Sequence, residues 1–247
     1  MAVPLNRIEI AQRALDALNG GPYLEIGVNT GESFIPIRAS RKWGVDPAPV
    51  LSWKRRAKYS AFSALGIKFE KIFSMTSDEF FATRSDLLRR HKIDVCFVDG
   101  LHTYEQSLRD VLNAAAYLKP GGIILLHDCS PSTELMALPA ENIAAAGKRQ
   151  ERNWTGEWSG DVWKSIVHLR SVRRDLRTFV LDCDCGIGVV VRGSSEVALD
   201  YREDDIKTMS YDYLAANRKR LLGLEPPQFF EQFLGQHIRQ LGMRGDH

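Results

Sequence analysis

Acidic and imidazole side chains follow two separate apolar runs of the sequence. One run ends at Asp99, with His102 three residues later, and a second ends at His127 and Asp128. Both runs have the length and composition of buried parallel strands, whose carboxyl ends lie at one edge of a sheet, so we expect the four side chains to converge. Carboxylates suit a hard divalent cation such as Mg²⁺, which keeps several waters and leaves room for a substrate hydroxyl.

Histidine is the side chain best suited by its intrinsic pKa to accept the proton of such a hydroxyl. We therefore interpret His102 as a general base beside the metal. Taken singly, Asp99 could also be a strand-end cap and His102 a helix-start residue making a backbone hydrogen bond. Their predicted convergence with His127 and Asp128 on one rim favours the site.

A glycine-punctuated turn between Tyr23 and Ser33 offers a second kind of chemistry. An apolar run carries Glu25 near its end, and Gly27 and Gly31 follow. Glycine lets the backbone turn sharply and lets a ligand approach with no Cβ in the way. The turn lacks the glycine spacing of a dinucleotide site and the basic end of a P-loop, and Glu25 would repel a phosphate. A cationic ligand such as S-adenosylmethionine is favoured, and a purely structural turn between strand and helix is the alternative.

The elements that must position these groups alternate between strands and helices. The first predicted elements are a helix over 8–18, a strand over 23–26, a crossover helix over 34–39 and a strand over 41–47. Asp46, at the end of that second strand, lies about 20 residues beyond Glu25, the spacing at which a carboxylate meets the two hydroxyls of a ribose. A turn cap at Asp46-Pro47 is the alternative.

The second half of the pattern continues in the same way. The further predicted elements are strands over 67–74, 95–98 and 123–126, a helix over 105–118, a helix over 160–169, and strands over 178–181 and 189–191. Residues 130–160 form a long excursion that we interpret as a lid or acceptor-binding insert. Its Trp154 and Trp158 could stack on a sugar face or anchor the loop to the core.

The remaining segments carry less chemistry. Cys183 and Cys185 form a lone C-x-C without a partner pair, which argues against a zinc site. The tail predicts two amphipathic helices, over 211–224 and 227–241, that pack on the domain, with a homodimer face as the alternative.

Composition excludes several other classes of function. The chain has 247 residues, 44% hydrophobic and 26% charged, with a net charge of +2. Its arginines are scattered, so nucleic acid is not indicated. No run approaches the roughly 18 apolar residues of a membrane span, and no signal peptide is recognised at the N-terminus. The four cysteines do not form a secreted disulfide framework, so we expect a cytoplasmic protein.

The turn from Tyr23 to Ser33 resembles the first motif of class I S-adenosylmethionine-dependent methyltransferases. The resemblance extends over about residues 23–193 and implies an α/β fold with a doubly wound, mostly parallel sheet and a terminal antiparallel hairpin. We expect a single domain over 1–247, with an N-terminal helix in 1–22, a core over 23–193 and a helical tail over 194–247. The cofactor-binding residues that the turn, Asp46 and this resemblance indicate are Glu25, Gly27, Asn29, Thr30, Gly31, Ser33, Asp46, Met75, Thr76, Ser77 and Asp99.

Within that set, the loop of Met75, Thr76 and Ser77 would line the adenine, as it does in class I enzymes. A simple helix N-cap at Thr76 or Ser77 is the alternative.

The Asp-Gly-x-His-x-Tyr segment and the strand ending in His-Asp are similar to metal-dependent O-methyltransferases, in the group that includes macrolide-sugar methyltransferases. The resemblance implies that Asp99 and Asp128 are metal ligands and that His102 is the general base. His127, which we predict in the metal site beside Asp99 and Asp128, stands where that family often has an acid. This substitution lowers the negative charge of the predicted metal site, which predicts weaker Mg²⁺ binding or a preference for a softer cation.

The function that follows is transfer of a methyl group from S-adenosylmethionine to a hydroxyl of a sugar, saccharide or glycosylated metabolite, assisted by Mg²⁺ or another divalent cation. One alternative acceptor is a phenolic or catechol compound. A second alternative is a protein that binds S-adenosylmethionine without catalysis. The set of Glu25, Asp46, Asp99, His102 and Asp128 argues against the second.

Overall fold

A computed structural model describes residues 5–52, 70–150, 155–194 and 197–245. The chain forms two compact units. The first unit comprises Asn6–Gly100, Asp110–Leu125 and Glu231–His247, and the second comprises Met1–Leu5, Leu101–Arg109 and Leu126–Phe230. The single domain predicted over 1–247 stays a prediction.

The first unit holds the opening strands of the sheet and the helices between them. Its elements are α1 (Arg7–Ala17), β1 (Pro22–Ile26), β2 (Arg41–Val45), β3 (Glu70–Phe73), α2 (Ser77–Thr83), α3 (Ser85–Arg90) and β4 (Ile93–Val98). Three elements run from one unit into the other along the chain, namely α4 (Tyr104–Tyr117), β5 (Leu118–Leu126) and α9 (Phe229–Gly245).

The second unit holds the insert, the terminal hairpin and most of the tail. Its elements are α5 (Ile143–Gln150), α6 (Trp163–Val172), β6 (Leu176–Leu181), β7 (Ile187–Arg192), α7 (Glu203–Lys207), α8 (Tyr211–Leu222) and β8 (Leu224–Glu225). The short helix α7 was not predicted from the sequence.

Parallel pairing brings the strand ends of the first unit to one edge. The strand order is β3-β2-β1-β4-β5, and β1 pairs in parallel with both β2 and β4. Ile26 is in register with Val45 and with Val98, so the residues that follow these strands emerge at the same level. Every residue of β1 and of β4 is buried, Glu25 and Asp94 included, as is typical of parallel strands that are covered on both faces.

The terminal strands of the second unit reverse direction. In the order β7-β6-β8, β6 and β7 pair antiparallel from Leu176↔Arg192 to Leu181↔Ile187, whereas β8 runs parallel to β6. The predicted fold class is therefore confirmed: a mostly parallel α/β sheet, a terminal antiparallel hairpin and C-terminal helices.

The predicted crossover helix over residues 34–39 is absent; this described segment consists of turns and irregular backbone. Pro36 disfavours the helical conformation of the residue before it and has no N–H to donate. Instead, the buried ammonium of Lys42 donates hydrogen bonds to the carbonyl oxygens of Phe34, Ile35 and Ile37 at 3.0, 3.3 and 3.0 Å. These bonds replace the helical ones, because buried carbonyls need partners.

Other boundaries differ by a few residues. β5 begins at Leu118, five residues before the predicted start at 123. The third strand is described from Glu70 to Phe73, and the predicted residues 67–69 lie outside the described part. Trp154 also lies outside it. None of the helices in the described part of the chain has the length and apolar character needed to cross a membrane.

Candidate active site

Glu25 is a fully buried carboxyl group near the end of β1. The Tyr23 hydroxyl donates to its Oε2 at 2.5 Å, and the Ser33 hydroxyl donates to its Oε1 at 2.7 Å. Burial raises the pKa of Glu25 to about 8, although the two hydroxyl donors oppose this shift. Burial, and then the nearby Glu25, also raise the pKa of Tyr23. Two predicted cofactor residues, Glu25 and Ser33, are thus in direct contact.

The glycine turn after β1 is held against the end of β2. The Asp46 carboxylate accepts from the backbone N–H of Asn29 through Oδ2 and from that of Ala48 through Oδ1, both at 2.7 Å. Asn29 itself has a left-handed φ of 44° and its carbonyl accepts from the N–H of Val50. Thr30, the next residue, is half-buried. Asp46 is therefore both a turn cap and a half-buried carboxylate at the rim.

Gly27 allows two strand ends to meet closely. Its φ is +88°, and a Cβ at this position would lie 1.9 Å from the backbone oxygen of Asp99. The N–H of Asp99 donates to the carbonyl of Ile26 at 2.8 Å. Gly31 also has a positive φ, +75°, and is buried. The turn can thus bend next to Asp99 only because position 27 has no side chain.

The loop after β3 belongs to the same rim. The carbonyl of Phe73 accepts from the N–H groups of both Asp46 and Met75. Thr76 caps α2: its hydroxyl accepts from the N–H of Glu79 at 3.2 Å, and Glu79 accepts from the N–H of Thr76. Ser77 is buried in the first turn of that helix. The capping interpretation is therefore correct for Thr76, and adenine binding stays a prediction.

Arg7 is a neighbour of Asp99 that sequence reasoning missed. Its Nη1 lies 3.4 Å from Asp99 Oδ2, and both side chains are partly exposed. α1 places it there, with Asn6 as N-cap in a capping box with Glu9. Periodicity predicted the helix, but nothing local marks Arg7 as a partner for the end of β4.

His102 is oriented by the insert. Its Nδ1 lies 2.7 Å from the carbonyl oxygen of Trp158, and its Nε2 lies 3.4 Å from Asp128 Oδ2. A carbonyl only accepts, so Nδ1 carries the proton, and in the neutral ring Nε2 carries the lone pair. In the neutral ring that lone pair would lie near a carboxylate oxygen, an arrangement that a cation or a shared proton between the two atoms would stabilise.

Asp128 is buried and has a strained backbone conformation, with a φ of +60°. The Ser159 hydroxyl donates to Oδ1 at 2.7 Å, and His127 Nδ1 lies 2.9 Å from Oδ2. Strain of this kind costs about 1–3 kcal/mol and concentrates at functional sites. The carboxylate is thus fixed from both sides while Oδ2 still points towards His102.

His127 lies between two carboxylates. Besides its contact with Asp128, its Nε2 lies 3.4 Å from Asp184 Oδ1. Asp184 is the first of three consecutive residues with positive φ in the loop between β6 and β7, the others being Cys185 and Gly186. This loop is joined to the end of β5 by the hydrogen bond from Cys129 N to Gly186 O, at 3.0 Å. Both ring nitrogens thus lie near carboxylates, an arrangement that can orient Asp128, and the predicted role of His127 as a metal ligand stays a prediction.

Trp158 is an anchor and not an exposed stacking platform. It is 7% exposed, its ring nitrogen donates to the carbonyl of Leu138 at 2.8 Å, and it packs with Ala140 and Ala146. Its ring also lies against His102, with centroids 5.3 Å apart. Of the two interpretations of this tryptophan, the anchor is correct.

The cysteines of the β6–β7 loop show no activation. Cys183 and Cys185 are free thiols, and burial, followed by the nearby acids, raises the pKa of Cys183 to about 11. A raised thiol pKa disfavours both nucleophilic attack and metal binding.

Residues 24–129 match a protein family described as a methyltransferase domain. No curated protein matches the chain. Among solved structures, the chain is similar to cofactor-bound Rv0187 from MTB, with a TM-score of 0.52, 13% identity, and coverage of 79% of this chain and 84% of that one.

Two further structures have a TM-score of 0.50. One is from Staphylococcus aureus, classed provisionally as a caffeoyl-CoA O-methyltransferase, with 16% identity and coverage of 78% and 86%. The other is from Klebsiella pneumoniae, classed provisionally as an O-methyltransferase, with 11% identity and coverage of 78% and 82%. At these identities the structures show the fold alone, and the family match covers residues 24–129, which are less than half of the chain.

Proposed function

We propose that this chain is a class I S-adenosylmethionine-dependent methyltransferase and that it is a metal-assisted O-methyltransferase acting on a hydroxyl of a sugar, saccharide or glycosylated metabolite. The match of residues 24–129 to a methyltransferase domain supports the first part. The observation that carries the proposal is the pair formed by His102 and Asp128, with Nε2 and Oδ2 3.4 Å apart. It supplies a proton acceptor and a carboxylate beside each other, as activation of a hydroxyl requires.

The rim of the first unit suits S-adenosylmethionine, which supplies a methyl group on an activated sulfonium. At Gly27 no side chain stands in the way of a ligand that approaches the backbone of the turn. Each carboxylate oxygen of Asp46 accepts one backbone hydrogen bond and keeps a further lone pair for a ribose hydroxyl. The positive charge of a bound ligand would favour the ionised form of the buried Glu25 carboxyl group. Thr30, Gly31 and the loop from Met75 to Ser77 complete the proposed contacts.

The donor set suits a hard divalent cation. Asp99, His102 and Asp128 can each offer one ligand atom, and two of the three are carboxylates, the ligands that Mg²⁺ prefers. Asp99 precedes His102 by three residues, a span of at most about 10 Å along the chain, so connectivity keeps them near each other. When bound, the cation would lower the pKa of an acceptor hydroxyl. His127 would hold Asp128 in place.

The protein's own groups perform the remaining steps. His102 accepts the hydroxyl proton at Nε2, while the Trp158 carbonyl holds the other ring proton at Nδ1. This contact fixes the ring orientation, so no rotation is needed before proton transfer. Methyl transfer is an in-line displacement, for which positioning supplies much of the rate enhancement.

The acceptor class comes from the resemblance of the Asp99–Tyr104 segment and of the strand ending in His127-Asp128 to macrolide-sugar methyltransferases. A phenolic or catechol acceptor is the alternative. The proposed partners are otherwise S-adenosylmethionine and a divalent cation, with no nucleic acid and no membrane, in the cytoplasm. A homodimer through the tail is the alternative to packing of the tail within the chain.

Calorimetric titration of S-adenosylhomocysteine, with Mg²⁺ and then with excess chelator, tests the proposal first. We expect micromolar binding in both conditions and turnover of a deoxysugar glycoside that chelator abolishes. Turnover of a catechol in place of the glycoside would support the alternative acceptor. Turnover insensitive to chelator would leave His102 as an unaided base, and absence of binding would overturn the methyltransferase proposal.

A further inference from the structure

The last three residues of the insert contact both members of the His102–Asp128 pair. The Trp158 carbonyl accepts from His102 Nδ1, and the Ser159 hydroxyl donates to Asp128 Oδ1, each over 2.7 Å. Gly160 passes so close to His102 that a Cβ there would lie 1.9 Å from the His102 backbone oxygen. Three consecutive residues thus determine the orientation of two groups that are 26 residues apart in the sequence.

This segment, which we call the 158–160 strap, is itself fixed to the start of the insert. The N–H groups of Ser159 and Gly160 both donate to the carbonyl of Met136 at 2.9 Å. Nearer to Asp128, the Arg218 guanidinium donates to the Ser130 hydroxyl at 2.8 Å and to the carbonyl of Pro131 at 2.7 Å. The insert therefore leaves the rim directly after Asp128 and returns to it at Ser159.

We propose that Ser159 is a positioning residue: its hydroxyl orients the Asp128 carboxylate so that Oδ2 faces His102, and the strap couples the insert to the reactive groups. Ser159 is completely buried and its one hydroxyl proton is donated to Oδ1. That bond holds Oδ1, whereas Oδ2, which His127 Nδ1 contacts at 2.9 Å, keeps a further lone pair for the cation or the acceptor. Outer partners of this kind commonly determine metal affinity.

The inference rests on the proposed function for the metal, whereas the orientation of Asp128 does not depend on it. The experiment compares Ser159→Ala with Ser171→Ala, a control whose hydroxyl is also buried but donates within α6 to the carbonyl of Val167. Mn²⁺ alone is titrated into each full-length protein and detected by electron paramagnetic resonance. S-adenosylhomocysteine binding is measured in parallel.

We expect Ser159→Ala to weaken Mn²⁺ binding by about 10–100-fold, with S-adenosylhomocysteine affinity changed less than twofold and the control unchanged. Equal Mn²⁺ affinity in Ser159→Ala and the parent would overturn the inference. If Ser159→Ala loses both affinities together with its helical circular dichroism signal, the variant is misfolded. Ser159→Cys, which has a similar side-chain volume and a weaker hydrogen-bond donor, is then tested in its place. Mn²⁺ affinity equal to that of the parent would again overturn the inference.

A parent protein that binds no Mn²⁺ would count against the metal in the proposed function, and crystal structures then decide about Ser159. An Asp128 carboxylate rotated away from His102 in Ser159→Ala supports the positioning role. An unrotated carboxylate overturns it.

Discussion

The Tyr23 hydroxyl donates a hydrogen bond of 2.5 Å to Glu25, two residues farther along β1. Alternation along a strand puts both side chains on one face, and Ser33 approaches the same carboxyl group from the turn. With burial raising its pKa to about 8, Glu25 holds a proton in much of the folded protein near neutral pH. The acid of the first motif is thus a stability element as well as a proposed cofactor residue.

We predict that the parent protein loses stability as the pH rises from about 4.5 to about 8, because of the raised pKa of Glu25. Above its ordinary pKa of 4.5 the unfolded chain ionises Glu25, whereas the folded protein retains the proton up to about pH 8, so the free energy of unfolding falls across this interval. The total effect is on the order of a few kcal/mol. Urea unfolding of the parent and of Glu25→Gln at a series of pH values measures it.

Glu25→Gln should remove this part of the pH dependence and be the more stable protein at pH 8. Glu32→Gln, an exposed neighbour in the same turn, provides the matched control and should leave the slope unchanged. Parallel pH profiles for the parent and Glu25→Gln would contradict the prediction.

The sequence predicted the strands well because each signal was local. Apolar runs and glycines are read within a few residues, and parallel strand ends follow from them. The irregular connection over 34–39 could not be predicted in the same way, because its backbone carbonyl groups accept hydrogen bonds from the buried ammonium of Lys42 on β2. A lysine within a buried strand is the one sequence feature that could have indicated such a role.

For the candidate site, too, the sequence predicted what depends on local signals and missed what depends on distant segments. Asp46 and Asp99 directly follow β2 and β4, and His102 and Asp128 come within four residues of the ends of β4 and β5, so local pattern predicts their places along the chain. Their shared role stays a prediction. The groups that orient them come from distant segments, such as Ser159, 31 residues beyond Asp128. No periodicity or spacing encodes a hydrogen bond of that kind, and only the folded insert brings it about.

His102→Gln should abolish turnover without affecting cofactor binding. The amide cannot accept the hydroxyl proton, so we expect kcat to fall by about 10²–10⁴-fold, as loss of a general base typically causes. S-adenosylhomocysteine affinity, measured by calorimetry, should remain within a few-fold of the parent. A protein that only binds S-adenosylmethionine would show no acceptor-dependent turnover in either form.

His91→Gln provides the control for that comparison. His91 follows α3 at its C-cap, away from the strand ends that carry the proposed reaction. It should turn over like the parent, and comparable activity of His102→Gln and His91→Gln would exclude His102 as the base.

Gly27→Ala should prevent binding of S-adenosylhomocysteine. The added Cβ would lie 1.9 Å from the Asp99 backbone oxygen at a φ of +88°, so the turn and the end of β4 must separate. We expect a loss of unfolding free energy of about 3 kcal/mol or more, from strain and overpacking together. Gly20→Ala, with a φ of +69° and no atom within 4 Å of its added Cβ, should cost only the strain and bind normally. Normal binding by Gly27→Ala would mean that this close approach is not needed for the cofactor.

Gly160→Ala should displace the base without touching the cofactor rim. Its Cβ would lie 1.9 Å from the His102 backbone oxygen and 3.2 Å from the His102 Cβ, so either the strap or the His102 loop must move. Gly156→Ala is the control, because Gly156 also has a positive φ, +85°, but has open space around the added Cβ. We expect Gly156→Ala to lower the free energy of unfolding by about 1–2 kcal/mol and to retain activity. Gly160→Ala should instead lose most of its kcat while S-adenosylhomocysteine still binds, because the contact of His102 Nδ1 with the Trp158 carbonyl is broken. Steady-state kinetics and calorimetry on both variants separate the two effects, and equal kcat in both would show that the strap does not determine the position of His102.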